Sequence, residues 1–196
     1  MADFEHFLQT NYPTKAEELS FLLENTKVKH FKKGEFLVQQ CDAINFAYYI
    51  ESGLFKQFVL SDEGKESIIL FRRDNRFENN LDFLFATQKA ADFNIQAIED
   101  STVHILSHAA FKKVYEENME FALANNRLLQ MHISCARGRV TQFLTDNAEK
   151  RYATFLYKYS DIAHRLPVGL IAAYIGITRE SLSRLRSDWA NDKNKK

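Results

Sequence analysis

Leu166–Trp189 reads LPVGLIAAYIGITRESLSRLRSDW, and this stretch decides the fold of the C-terminal part. Pro167 suits the first position of a helix, where a missing N–H has no intrahelical partner to lose. Leu170, Ile171 and Ile175 then recur at helical spacing. Ala172 is small where a second helix must pass close by. Gly176 stands where the chain has to turn, and glycine accepts a positive φ without strain. Ile177 plugs the core behind the turn, and Thr178 is a good N-cap for the next helix. Leu182, Leu185 and Trp189 give that helix an inward stripe at i, i+3 and i+7. The stretch predicts two short helices around one glycine, a helix-turn-helix. The outer face of its second helix carries Arg179, Glu180, Ser181, Ser183, Arg184 and Arg186.

That face has the chemistry of a recognition helix. Arginine bonds guanine O6 and N7 with two donors, glutamate accepts from cytosine N4, and hydroxyls reach phosphates. Arg179, Glu180 and Arg184 project from the N-terminal half of the helix, the half that meets base edges in such motifs. The bland alternative is a solvated amphipathic helix with a local Arg/Glu pair. The small residue, the glycine turn, the cap and the apolar positions agree with each other and favour DNA reading.

GITRESLSRLR resembles the C-terminal motif of the Crp/Fnr transcription regulators. The resemblance is specific across Leu166–Arg186 and looser, in organisation, from about Val28 to Ser160. It implies an α+β fold: an N-terminal double-stranded β-helix (jelly roll) of the cyclic nucleotide-binding type as sensor domain, a long dimerisation helix, and a C-terminal helix-turn-helix domain. It implies base reading by Arg179, Glu180 and Arg184 and phosphate contacts by Thr178 and Ser181. Val168 and Gly169 stand where many members have polar groups at the start of the first helix. The sequence stops soon after the second helix, so the β-wing of many relatives is expected to be reduced or absent.

The 196 residues allow one large domain or two small ones. Net charge is zero, but it is unevenly spread. From Arg137 onward there are 12 Lys+Arg and 6 Asp+Glu, so +6; the preceding residues hold the remaining 14 and 20, so −6. A basic end beside an acidic body suits a DNA-binding segment, because cations must displace phosphate counterions. Lys193, Lys195 and Lys196 are expected as a solvated tail that could add non-specific contacts. Two cysteines, Cys41 and Cys135, are too few for a disulfide scaffold or a four-thiolate cluster. Both are expected as small buried apolar residues; pairing of Cys135 with its twin is the alternative. With no signal peptide and no apolar run long enough to span a bilayer, the chain reads as cytoplasmic, with no membrane partner.

Residues 1 to 24 look helical around a break at Pro13. A β-rich region follows, with alternation through Phe36, Val38, Phe46, Tyr48 and Ile50 and hairpin signals at Ser52-Gly53 and Asp62–Lys65. Helices return at about Ala109, and a further helix is expected over Ala148–Ser160. Between Val114 and Gly138 the residues Val114, Phe121, Leu128 and Cys135 are spaced by sevens, with Ala124, Met131 and Gly138 in a second register. That pattern suits a helix packed along a like helix. It predicts a dimer interface of Val114, Phe121, Ala124, Leu128, Met131 and Cys135; burial against the chain's own roll is the alternative. Arg137-Gly138-Arg139 is a plausible hinge between a domain at 1–136 and one at 137–196.

In the resembled family a cyclic nucleotide phosphate is held by a glycine-glutamate turn and an arginine-serine pair. Here Phe77, Glu78, Asn79 and Asn80 occupy the turn without a glycine, and Ala91-Asp92 stand at the pair. A carboxylate there repels a phosphate, so no ordinary cyclic AMP response is expected. Glu78 could still meet a ribose, though it reads more simply as a solvated loop acid. Arg72, Arg73, Arg76 and Lys89 could rebuild an anionic site, and Phe55, Phe58, Phe71, Phe83 and Phe85 could line another pocket or simply form core. His104 and His108 straddle a strand end and need not converge, and His132 with Cys135 supply only two ligands, so no metal site is expected. No cofactor is implied, and without a nucleophile elbow, phosphate loop or HExxH there is no enzyme signature. The expected partners are double-stranded DNA, a second copy of the chain, RNA polymerase and an unknown small-molecule effector. The competing reading is a ligand-binding roll whose helix-turn-helix serves protein contacts.

Overall fold

A computed structural model describes residues 2–78 and 90–193. Helix α1 (Ala2–Asn11) stops just ahead of Pro13, and α2 (Ala16–Glu24) follows. The α2 start is capped by Glu18, which accepts from the Lys15 N–H at 2.8 Å. Eight strands come next: β1 (Thr26–Phe31), β2 (Phe36–Val38), β3 (Phe46–Ser52), β4 (Leu54–Leu60), β5 (Glu66–Arg73), β6 (Arg76–Glu78), β7 (Asn94–Ala97) and β8 (Ser101–Ser107). They form two four-stranded sheets, ordered β1-β8-β3-β6 and β2-β7-β4-β5. The β1, β3 and β6 pairings with their neighbours are antiparallel. The predicted turns are present. Gly53 has φ +116°, and a Cβ there would lie 2.4 Å from that of Ser101, so only glycine fits the β3–β4 hairpin.

Two apolar clusters hold this part. One lies inside the roll and includes Val38, Ile50, Phe55, Ile95 and Val103. The other seals the helices onto the roll through Phe4, Leu8, Tyr12, Phe77, Phe111 and Phe121. The predicted Phe83, Phe85 and Lys89 lie outside the described residues, as do Asn79, Asn80, Lys195 and Lys196.

Five more helices follow: α3 (His108–Glu117), α4 (Met119–Thr145), α5 (Ala148–Lys158), α6 (Val168–Ile175) and α7 (Arg179–Lys193). Two expectations need correction here. The expected seam from Val114 to Gly138 is not one helix. Asn118 separates α3 from α4, and its side chain accepts the Phe121 N–H at 3.0 Å while donating to Glu18 at 2.8 Å. Nor is Gly138 a hinge, since α4 runs unbroken through it for 27 residues. The chain divides into two compact units, Met1–Gln57 with Phe71–Ile133, and Phe58–Leu70 with Ser134–Lys196.

Val114 and Phe121 face inward, with 3% and 0% exposure. Their side chains are part of the roll's own core and cannot meet a second chain. Ala124 and Leu128 are half-buried against the same core, whereas Met131 and Cys135 are exposed. The opposite face of α4 is bare. Met119, Leu123, Asn126, Gln130, Ile133, Arg137, Val140 and Leu144 follow one another at alternating steps of four and three. All five apolar members of this stripe are exposed, Ile133 at 62% and Leu144 at 80%.

Candidate nucleic-acid interface

The C-terminal unit is built around aromatic rings. Phe155 lies 5.5 Å from both Tyr159 and Tyr174, and Tyr159 meets Tyr174 edge-on at 5.4 Å. Arg139 threads into this group, donating to the Ile68 and Tyr174 carbonyls at 2.9 and 2.7 Å. Its guanidinium lies 3.6 Å from the Tyr174 ring centre. Arg151 donates to the Ile175 carbonyl at 2.8 Å and so satisfies the end of α6. These two arginines are structural cations, buried in part by packing and bonded to carbonyls.

The turn between α6 and α7 is as the sequence predicts. Gly176 is left-handed at φ 76°, ψ 39°. A Cβ there would lie 2.9 Å from a Phe143 ring carbon, so close approach adds to the demand for glycine. Pro167 sits one residue outside the position expected for it, as the N-cap of α6. Behind the turn Ile171, Ala172, Ile175 and Leu182 are buried, which locks the two helices together. Thr178 caps α7: its Oγ1 accepts the Ser181 N–H at 3.2 Å and donates to the Ser181 hydroxyl at 3.1 Å.

With its inner stripe so anchored, α7 turns Arg179, Glu180, Ser183 and Arg184 outward, where they line one open depression. All four are exposed, as is Thr178. Among the described residues neither Arg179 nor Arg184 has a hydrogen-bonded or ion-paired partner. Glu180 stays ionised. Its carboxyl is held below the usual range first by its own backbone N–H, then by the Thr178 hydroxyl, with both arginines adding.

Two expected members of this face serve other ends. Ser181 is half-buried and engaged in the cap. Arg186 is turned inward: its Nε donates to the Tyr152 hydroxyl at 2.9 Å, with the guanidinium 5.5 Å from that ring. Trp189 lies beside it, 5.3 Å from Tyr152, and donates to Glu149 at 2.8 Å. Arg186 therefore fastens α7 to α5 and is not a groove-facing group. Its spacing from the inner Leu182 was the signal, since i+4 from a buried residue returns to the inner face.

Elsewhere the roll corrects three readings. Glu78 is not a solvated loop acid: its side chain is mostly buried, ion-paired to Arg72 and 3.8 Å from His132. His132 thus faces a carboxylate rather than Cys135, and the described residues hold no cluster of three or more potential metal ligands. Cys41 and Cys135 are both exposed rather than buried. At the expected phosphate-binding pair, Ala91 is buried and Asp92 exposed. No described helix is long and apolar enough to cross a membrane.

Residues 28–118 match the cyclic nucleotide-binding domain family. Over 180 residues the chain is 26% identical to the fumarate and nitrate reduction regulatory protein of Vibrio cholerae, covering 86% of this chain and 70% of that protein. It is also 26% identical over 168 residues to the transcriptional activator protein Anr of Pseudomonas protegens, covering 79% and 66%. The fold matches a transcriptional regulator of the Crp/Fnr family from Eubacterium rectale, with a TM-score of 0.72 at 20% identity over 94% of this chain and 87% of that one.

Proposed function

We propose that this chain is a DNA-binding transcription regulator of the Crp/Fnr type, to whose members it is similar, and that two copies read a roughly palindromic operator through α7. The observation that carries this reading is the pair Arg179 and Arg184, without a hydrogen-bonded or ion-paired partner among the described residues and exposed beside Glu180 and Ser183. Free guanidiniums on a rigidly seated helix suit guanine O6 and N7, and Glu180, kept anionic, suits a cytosine N4 donor. Ser183 lies exposed within the same turns and suits a phosphate, while Thr178 fixes the start of the helix as its cap.

The second copy is assigned to the bare face of α4. Alternating steps of four and three through Leu123, Ile133, Val140 and Leu144 are the spacing of a coiled-coil seam, and this face is not taken up by the roll. Asn126 and Arg137 in the seam would fix its register at some cost in stability. This seam replaces the one expected from Val114 and Phe121. Pairing along it would hold two α7 helices for half-sites about 34 Å apart, one turn of DNA. RNA polymerase and an effector other than cyclic AMP complete the partner set that this reading implies.

Selection from a random duplex library tests the proposal. The full chain is expected to enrich an inverted repeat with half-sites about one helical turn apart. A library that stays random after repeated rounds rejects it and favours the ligand-binding roll with a protein-docking helix-turn-helix.

A further inference from the structure

In the N-terminal unit a cavity of about 340 Å³ opens between α1, the β5–β6 turn and α4. Its walls include Phe7, Tyr12, Phe77 and Leu128, and its rim carries Arg76 and Arg127. Tyr12 and Phe77 are buried, while both arginines are exposed. Neither arginine has a hydrogen-bonded or ion-paired partner among the described residues. No described Asp or Glu lines the cavity. The nearby Glu78 is already taken by Arg72 and faces His132. The site lies on the α1 side of α4 and shares only Phe77 with the positions at which the resemblance locates a cyclic nucleotide phosphate.

We propose that this cavity binds a small organic acid, a carboxylate on an apolar or aromatic body. A volume of this size suits a ligand of modest size, and apolar walls with a few convergent polar groups are the usual form of such a site. The aromatic walls take the body. The two guanidiniums take the carboxylate through charge-assisted hydrogen bonds, which are about twice as strong as neutral ones. Arg127 and Leu128 belong to the same stretch of α4 as Leu123, Asn126 and Gln130 of the opposite face. A bound acid would therefore press on the helix assigned to dimer contact, which is how it could act as an effector. Only that last role rests on the regulator reading.

Isothermal titration of the full chain with phenylbutyrate and decanoate, in the absence of DNA, tests the binding claim. Saturable binding is expected, with the neutral phenylbutanol at least about tenfold weaker and the Arg76→Gln/Arg127→Gln variant weaker by a similar factor. Both substituted side chains are exposed, so the variant should keep the wild-type thermal transition. The proposal is overturned if neither acid binds, if acid and alcohol bind alike, or if the double variant keeps wild-type acid affinity. Duplex binding without any acid is read separately, so failure of the regulator reading is told apart from failure of the pocket.

Discussion

Arg179, Arg184 and Arg186 lie within two turns of one helix, yet the structure divides them. Replacing Arg179 or Arg184 by Ala should cost about 1–3 kcal/mol of operator binding and relax base preference at one position per half-site. Arg186→Ala should instead lower the thermal stability of the C-terminal unit, because it removes the bond to Tyr152, and leave base preference as it was. Melting curves and selected-site profiles of the three variants separate the two roles. Equal loss of specificity in all three would contradict the assignment. A second residue-scale outcome concerns His108, which burial, with Lys112 adding, pushes down to about 4. An unfolded histidine titrates near 6.5. Between those values the unfolded chain binds a proton that the folded chain does not, so stability falls as pH drops from about 6.5 toward 4. The thermal midpoint of His108→Gln should decline less steeply across this window than that of wild type; parallel declines would refute the claim. The helix-turn-helix was legible residue by residue because each position is set by local rules of turn, cap and periodicity. Arg186 was legible only as an inner-face position four residues after Leu182; its partner Tyr152, 34 residues away, was not.

At the scale of elements, α4 shows where sequence reasoning stops. Two of its faces carry steps of three and four. One holds Phe121, Ala124 and Leu128; the other holds Leu123, Ile133, Val140 and Leu144. Periodicity marks both as seams, but which one the roll covers depends on the placement of α1, α3 and the strands. The face with Phe121 goes to the roll. Ile133→Asp should therefore convert the assembly to monomer in sedimentation or light scattering while the thermal transition of the protomer persists. Phe121→Ala should do the reverse in kind, costing about 3–5 kcal/mol of folding stability as a large core deletion does. If Ile133→Asp stays dimeric, the seam is misplaced. The cysteines illustrate the same limit: Cys135 is exposed although its spacing matches that of the buried Phe121. The glycine hairpins followed directly from sequence because they depend on near neighbours, but the expected alternation did not hold in β3, where Ala47 to Ile50 are all buried because the helices cover its second face.

Over the whole molecule, charge and fold point the same way. The residues from Arg137 onward carry +6 against −6 for the rest, and Arg179 and Arg184 of that end stand exposed on α7 with no hydrogen-bonded or ion-paired partner among the described residues. Arg139 and Arg151 of the same end are engaged internally. Binding to duplex DNA should then release counterions and weaken steeply with salt. The most direct measurement is the affinity of wild type and of Arg179→Ala/Arg184→Ala for one selected duplex, followed by fluorescence anisotropy over a salt series. The account predicts a linear fall of log affinity with log salt in wild type, with weaker binding and a shallower slope in the double variant. Binding that is insensitive to salt, or two lines that coincide, would contradict it.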